Sequence, residues 1–395
     1  MVLFQRRGLD AVRLRLWHTP ADGRDGLADV LALARRVRAL DLDLFLALHF
    51  SDTWADPAQQ QVPAAWAGLP FPVLTDSVSA YAERVVRALA DQGTPPALVQ
   101  IGNEITGGML WPHGRVGGAF DTPEQWDRLS TLLHAAADGV RSGASPAPSV
   151  ALHIDRGGDL DGATWFFDRA LADDVPVDVL ALSYYPWWHG EIGDLERTLD
   201  GVADRYGLPV LVAETAYPWT LGWFDDETNI VGLPDQLLDA FPATPAGQAQ
   251  FIARVTEAVA RTPGGLGFCY WAPDYVAAPD FPSPWENLAL FDETGLLLPA
   301  ADLDGLSITT EPPPESADAR TLRLYPNPAA DAVRISVEDC ARLAVFDPVG
   351  RRVLSLPCDS DLVLDVRALS AASYLLVAYG QDGRVRARER FSVVR

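Results

Sequence analysis

Lysine is absent from this 395-residue chain, so all 31 basic residues are arginine, set against 54 Asp and Glu for a formal charge of −23. A surface this acidic disfavours nucleic acid and argues against anionic substrates, leaving a neutral substrate as the better fit. Cysteine is scarce, at three. Cys269 lies in an apolar run and reads as plain core, while Cys340 and Cys358 can pair or stay free. No CxxC or Cys/His spacing suggests zinc. There is no apolar run of about 18 residues, hence no transmembrane helix. No GxGxxG follows an early strand, which ranks a dinucleotide-binding sheet low. The opening residues, MVLFQRRGLDAVRLRLW, lack the charged, apolar and cleavage regions of a signal peptide.

What is present is uneven. Residues 321–395 hold 11 Arg and nine acidic residues, net +2, which leaves 20 Arg and 45 acidic residues, net −25, for residues 1–320. The break falls in a Pro-rich stretch, TTEPPPESADAR (309–320), of the kind that links domains. We therefore divide the chain into residues 1–305, a linker at 306–320, and a second domain at 321–395.

In the first region short apolar runs alternate with helical patterns. The strand candidates are 11–17, 42–50, 97–104, 149–155, 177–185, 208–214 and 266–271. Helical segments such as 26–40, 77–93, 123–143 and 247–262 separate them. The alternation predicts βαβ units and a parallel sheet, and near-continuous apolar strands are those buried on both faces. A closed (β/α)8 TIM barrel needs eight strands; seven are visible. The simplest expectation is a barrel whose first strand lies upstream of a late start, together with a signal peptide. A seven-stranded open barrel and a Rossmann-like sheet are the alternatives.

The pivotal stretch is ALVQIGNE (97–104), an apolar strand ending in Asn103 and Glu104. Carboxylates at the C-terminal ends of barrel strands are where this architecture places its chemistry. Glu214 ends another strand 110 residues later, three βα units on and nearly across the barrel mouth. Two carboxylates about 5–5.5 Å apart perform retaining glycoside hydrolysis, one as acid/base and one as nucleophile. The strand tips around them carry Arg13, Arg15, Trp17, His49, Asp52, Trp54, Trp111, His153, Tyr184, Tyr185, Trp187, Tyr217, Trp219 and Trp271. Aromatic platforms with polar edges suit sugar rings. Arg15 either orients the nucleophile or pairs with another barrel carboxylate; we assign it the orienting role. His49 and His153 face substrate or are structural, and no third ligand makes them a metal site. Trp126 and Trp165 sit in helical patterns and read as packing. FDDETN (224–229) could hold calcium, but we read it as a solvated acidic loop and predict no metal.

Together these motifs resemble the endo-β-1,4-galactanases of glycoside hydrolase family 53, over residues 5–300. The residues that carry the likeness are RLRLWHTPADG (13–23), HFSDTWADP (49–57) with Gln60, QIGNE (100–104), GMLWPHG (108–114), SYYPWWHG (183–190), ETAYPWT (214–220), YW (270–271) and WENLALFDETG (285–295). The resemblance implies Glu104 as acid/base, Glu214 as nucleophile, Asn103 at the sugar 2-hydroxyl and Tyr185 beside the nucleophile. Leu48 and Ala272 stand where the family has acidic residues, near the cleft. It also implies hydrolysis of the β-1,4-galactan of type I arabinogalactan, with no cofactor required. Mannan cleavage by a sister enzyme, and an inactive truncated barrel that only binds, are the rival readings.

The tail segments LRLYPNPAADAVRISV (322–337), LAVFDPVGRRVLSL (343–356), LDVRALSAASYLLVA (364–378) and 383–395 read as a small β-sandwich. They resemble the C-terminal sorting domain of the type IX secretion system of Bacteroidetes-like bacteria, with Ser373 where a glycine is usual. That implies the secretion machinery as a partner and a secreted or cell-surface protein. A carbohydrate-binding module is the alternative, and the tail's lack of tryptophan speaks against it.

Overall fold

The computed structural model describes residues 1–278, 281–303, 323–325, 327–337, 340–346, 352–358, 361–380 and 385–394. The expected linker at 306–320 lies outside the described residues.

Seven parallel strands form one sheet in chain order: β1 (Ala11–Leu16), β2 (Asp43–Leu48), β3 (Leu98–Ile101), β4 (Ser149–Ile154), β5 (Val179–Ser183), β6 (Val210–Thr215) and β7 (Gly265–Tyr270). The sheet curls into a nearly closed barrel wrapped by helices. These strands fall within a few residues of the predicted ones because the apolar runs reflect burial on both faces. Inside the barrel, Phe45, Ala151, Val179, Ala181, Leu211 and Ala213 form a separate apolar cluster. The larger core lies between the sheet and the helices.

The helices start where the chain can satisfy their first N–H groups. Thr122 and Asp159 cap Pro123–Ser142 and Leu160–Ala170, and Thr244 caps Pro245–Arg261. Glu191 and Asp194 close a reciprocal capping box on Ile192–Tyr206. Helices Phe71–Asp91 and Pro123–Ser142 pack so closely that a Cβ on Gly139 would lie 2.2 Å from Ser79 O.

β1 and β7 end the strand order and do not pair with each other. Between them lies a cavity of about 490 Å³, lined by both strands and by Phe4, Val30, Ile252 and Leu303. Ala272, one of the two positions that depart from the family pattern, lines this gap rather than the cleft described below.

The tail builds two antiparallel sheets, one of three strands and one of four, around Val333, Ile335, Leu343, Leu364, Leu376 and Phe391. Cys340 and Cys358 are joined in a disulfide, which settles the pairing that the spacing left open. Tyr379 donates to Gly207 O at 2.7 Å, and Leu208 packs with Ala344, Phe346 and Val377. Those barrel residues precede β6, so the tail meets the face opposite the strand tips. Among the described residues no helix is long and apolar enough to cross a membrane.

Candidate active site

At the strand tips a cleft of about 1010 Å³ opens, and both Glu104 and Glu214 line it. They reach it by different routes. Leu98 packs against the interior cluster and the buried Gln100 bonds within the barrel, but the strand ends at Ile101, and it is the turn after it that brings both Asn103 and Glu104 to the cleft. Gly102 makes the turn at φ +84°, where a Cβ would lie 2.6 Å from Ile105 Cγ2. Glu104 itself takes a left-handed backbone at φ 49°, an unusual conformation for a non-glycine residue that is common at functional sites.

Strict alternation does not bring Glu214 inward. Leu211 and Ala213 face the interior, which would put the next inward side chain at Thr215. The ladder between β5 and β6 shifts register after Leu182–Val212, and Ser183 pairs with Glu214. The irregularity reverses the facing and aims Glu214 into the barrel, as bulges next to active sites do.

The two carboxylates have contrasting partners. Arg13 Nη1 donates to Glu214 Oε1 at 2.8 Å, and Tyr185 Oη donates to Glu214 Oε2 at 2.9 Å. The Arg13–Glu214 pair is 5% and 7% exposed at its side chains. Arg13 is itself held by Gln100 Oε1, at 3.1 Å to Nε and 2.8 Å to Nη2, and by Asn103 Oδ1 at 2.8 Å. Asn103 Nδ2 donates to Ala55 O, and Gln60 Nε2 donates to Asn103 O. Among the described residues Glu104 has one side-chain donor, Ser183 Oγ at 2.6 Å. Burial, and then the charge of Glu214, push its carboxyl well above the usual range, against the pull of Ser183 and Arg13. Burial and the facing Glu214 push the Tyr185 phenol up too, so it stays a donor.

The cleft walls are aromatic. Trp54, Trp271, Tyr185, Trp188, Tyr275, Phe281 and Trp285 line it, with Arg24, Asp155, Arg156 and His189 as polar members. Of the residues singled out in the sequence, Trp54, Asn103, Glu104, Tyr185, Glu214 and Trp271 line the cleft. Trp17 and Trp187 stand behind it, 5.2 Å from Trp54 and from Tyr185 respectively.

Other expected residues are elsewhere. Arg15 does not touch the nucleophile candidate; Arg13 does. Arg15 pairs with Asp25 at 2.8 Å and lies 4.4 Å from the Trp54 ring, because it sits one layer higher on β1. Asp52 accepts the backbone N–H groups of Thr19 and Ala64, fixing two loops. Trp111 donates to Gly107 O and stacks under Arg115. Trp219 is buried and stacks on Phe224. His49 and His153 are buried beneath the cleft, and burial with the Arg13 charge lowers both imidazoles well below their ordinary range. His153 contacts Ser183, Asn103 and the Glu104 N–H.

Ser183, Gln100, Trp188 and Trp285 were not singled out. Trp188 adjoins Trp187 in YYPWWHG, and Ser183 precedes the tyrosine pair. All four lie in the quoted stretches QIGNE, SYYPWWHG and WENLALFDETG, but picking them out within those stretches takes the register of β3 and β5 and the path of the 281–285 loop. In FDDETN, Asp225 accepts the N–H groups of Glu227 and Ser283, and so ties that loop to the cleft wall. Among the described residues no group of three His, Cys, Asp or Glu side chains is placed to hold a metal.

The chain is similar to known proteins along both regions. The profile of "Glycosyl hydrolase family 53" matches residues 1–303, and that of "Secretion system C-terminal sorting domain" matches residues 323–388. A probable arabinogalactan endo-beta-1,4-galactanase A of Aspergillus fumigatus is 36% identical over 282 residues, 69% of this chain and 76% of the relative. The arabinogalactan endo-beta-1,4-galactanase of Thermothelomyces thermophilus is 31% identical, over 74% of this chain and 86% of the relative. Among solved structures, the family 53 catalytic domain of Ignisphaera aggregans superposes with a TM-score of 0.71 at 33% identity, covering 78% of this chain and 88% of that one. A fungal beta-1,4-galactanase gives 0.67 at 31% identity, covering 76% and 88%.

Proposed function

The chain belongs to glycosyl hydrolase family 53, and from that premise we propose how its cleft divides the work: Glu214 is the nucleophile and Glu104 the general acid/base. The reaction is endo-hydrolysis of β-1,4-galactosidic linkages in type I arabinogalactan, by double displacement with net retention. It needs no organic cofactor, since two carboxyl groups and a water supply every bond and proton.

In the first half-reaction a Glu214 oxygen attacks the anomeric carbon. The glycosidic C–O bond breaks, and the Glu104 proton passes to the departing galactosyl oxygen. In the second, Glu104 takes a proton from water, whose oxygen attacks the same carbon. The ester to Glu214 breaks, and Glu104 regains its proton. The observation that carries this reading is the contrast in partners. Glu214 is gripped by a guanidinium and a phenol, which suits a carboxylate that must attack. Glu104 is buried with a raised pKa, which suits a group that must start protonated. We assign Asn103, fixed by Ala55 and Arg13, to the 2-hydroxyl of the sugar bound at Glu214. Trp54, Trp271, Trp188 and Trp285 supply apolar faces for pyranose rings.

For the tail we propose that residues 321–395 are read by the type IX secretion machinery, with the protein released or held at the cell surface. The match to a sorting domain supports this, as does a disulfide, which persists in oxidising compartments. Docking on the face opposite the cleft leaves the strand tips free for a polymer.

The test is reducing-sugar release from pectic galactan. Glu214→Ala is expected to lose about four orders of magnitude or more in kcat, and the first-formed product should keep the β-anomeric configuration. Parent-level turnover by Glu214→Ala would overturn the assignment.

A further inference from the structure

A general acid works only if its proton sits on the oxygen that faces the scissile bond. Glu104 Oε1 accepts from Ser183, and among the described residues Oε2 has no hydrogen-bond partner, while the side chain lines the cleft. Behind them, Ser183 Oγ lies 2.9 Å from His153 Nε2. A serine has one hydrogen to give, so the direction of this chain follows from the tautomer of His153.

The surroundings select the tautomer. His153 Nδ1 faces Asn103 Oδ1 at 3.2 Å and the backbone N–H of Glu104 at 3.4 Å. Asn103 Oδ1 already accepts from Arg13 Nη2 at 2.8 Å and Gln100 Nε2 at 2.9 Å, and its amide cannot turn because Nδ2 donates to Ala55 O. A hydrogen on Nδ1 would meet an acceptor with both lone pairs in use and would strand the Glu104 N–H. The hydrogen therefore belongs on Nε2 and points at Ser183 Oγ. That leaves the serine hydrogen one acceptor, Glu104 Oε1.

We propose that His153 and Ser183 act as a proton-placing pair: Nε2–H donates to Ser183, Ser183 donates to Glu104 Oε1, and the acidic proton of Glu104 is thereby kept on Oε2, facing the glycosidic oxygen. The inference rests on Glu104 being the acid/base and deepens that assignment. Both are positioning residues, since neither reaches the cleft. No reorientation is needed during turnover, because Ser183 donates to Oε1 whether Oε2 is protonated or ionised. His153 holds one form because it is fully buried, with Arg13 and His49 opposing its charging. The charged and titratable groups facing Glu104 are Glu214 after the β6 irregularity, Asp155 beyond β4, Arg13 on β1 and Tyr185 beyond β5.

The experiment compares the full chain with Ser183→Ala and Glu104→Ala, on galactan and on a 2,4-dinitrophenyl β-1,4-galactobioside, whose leaving group departs without acid help. Ser183→Ala is expected to lose about 10- to 100-fold in kcat/KM on galactan and about threefold or less on the activated substrate. Its alkaline limb should move to higher pH, because removing a donor from a carboxylate raises its pKa. Equal losses on both substrates with the limb unmoved would reduce the pair to packing. Thermal melts check that the variant folds. Should it not, His153→Gln supplies an amide N–H in place of the imidazole N–H and should keep the parent limb, whereas His153→Leu should shift it. Should Glu104→Ala keep full galactan turnover, the acid/base assignment itself falls. If Glu104→Ala behaves as an enzyme without its acid and the Ser183→Ala limb stays put, only the proton-placing role falls.

Discussion

Glu104 and Glu214 share one cleft and differ in their hydrogen-bond partners. On the β6 side, a buried guanidinium and a phenol each take one oxygen of Glu214. On the β3 side, the Ser183 hydroxyl donates to Glu104, and burial raises its pKa. The side chains are chemically the same, so the division into proposed nucleophile and proposed acid is imposed by neighbours alone. The polar side is wired through Arg13 to Gln100 and Asn103, which means the nucleophile's partner is tied to the very turn that carries the acid.

Arg13→Ala is the strongest way to break this contrast. It removes one partner of a buried ion pair, and kcat on galactan should fall by about two to three orders of magnitude, with Tyr185→Phe costing less. A kcat within tenfold of the parent would show that Glu214 is held by other means. Trp285→Ala probes the wall both carboxylates share. Losing one ring face should raise KM about three- to tenfold with kcat little changed; a fall in kcat instead would place Trp285 at the reacting sugar.

Glu104→Gln sharpens the contrast through stability. A carboxyl whose folded pKa is raised contributes its full stability below the unfolded pKa and loses it as pH rises through the folded value. The amide mimics the protonated form, so the variant should match the parent in acid and melt roughly 2–4 °C higher at neutral pH. The same melting temperature at both pH values would mean that burial does not oppose ionisation at this site.

A second contrast lies in the barrel wall. From β1 round to β7 every strand pairs with its neighbours, while β1 and β7 face each other across a gap. Strand positions were legible in the sequence because two-sided burial writes itself as apolar runs. The strand tips and both glutamates were legible for a related reason: a charge that ends such a run stands out. The individual partners were not. Arg13 and Arg15 share one face of β1, and alternation cannot tell which layer meets Glu214. Nor does tryptophan content say which rings reach the cleft: Trp111 and Trp219 pack elsewhere, whereas Trp188 and Trp285 line it.

By itself the sequence determined the order of strands and helices, the change of character near residue 310, and two carboxylates at the ends of apolar strands, because each is a local pattern of burial or charge. Only the tertiary structure decided that Glu214 faces inward at all. Its position in the alternation points it outward, and a register shift against Ser183 turns it round. The same structure chose Arg13 as its partner, set His153 and Ser183 behind Glu104, and joined Cys340 to Cys358. These outcomes depend on which strands lie side by side and at what height, and no single stretch of chain carries that information.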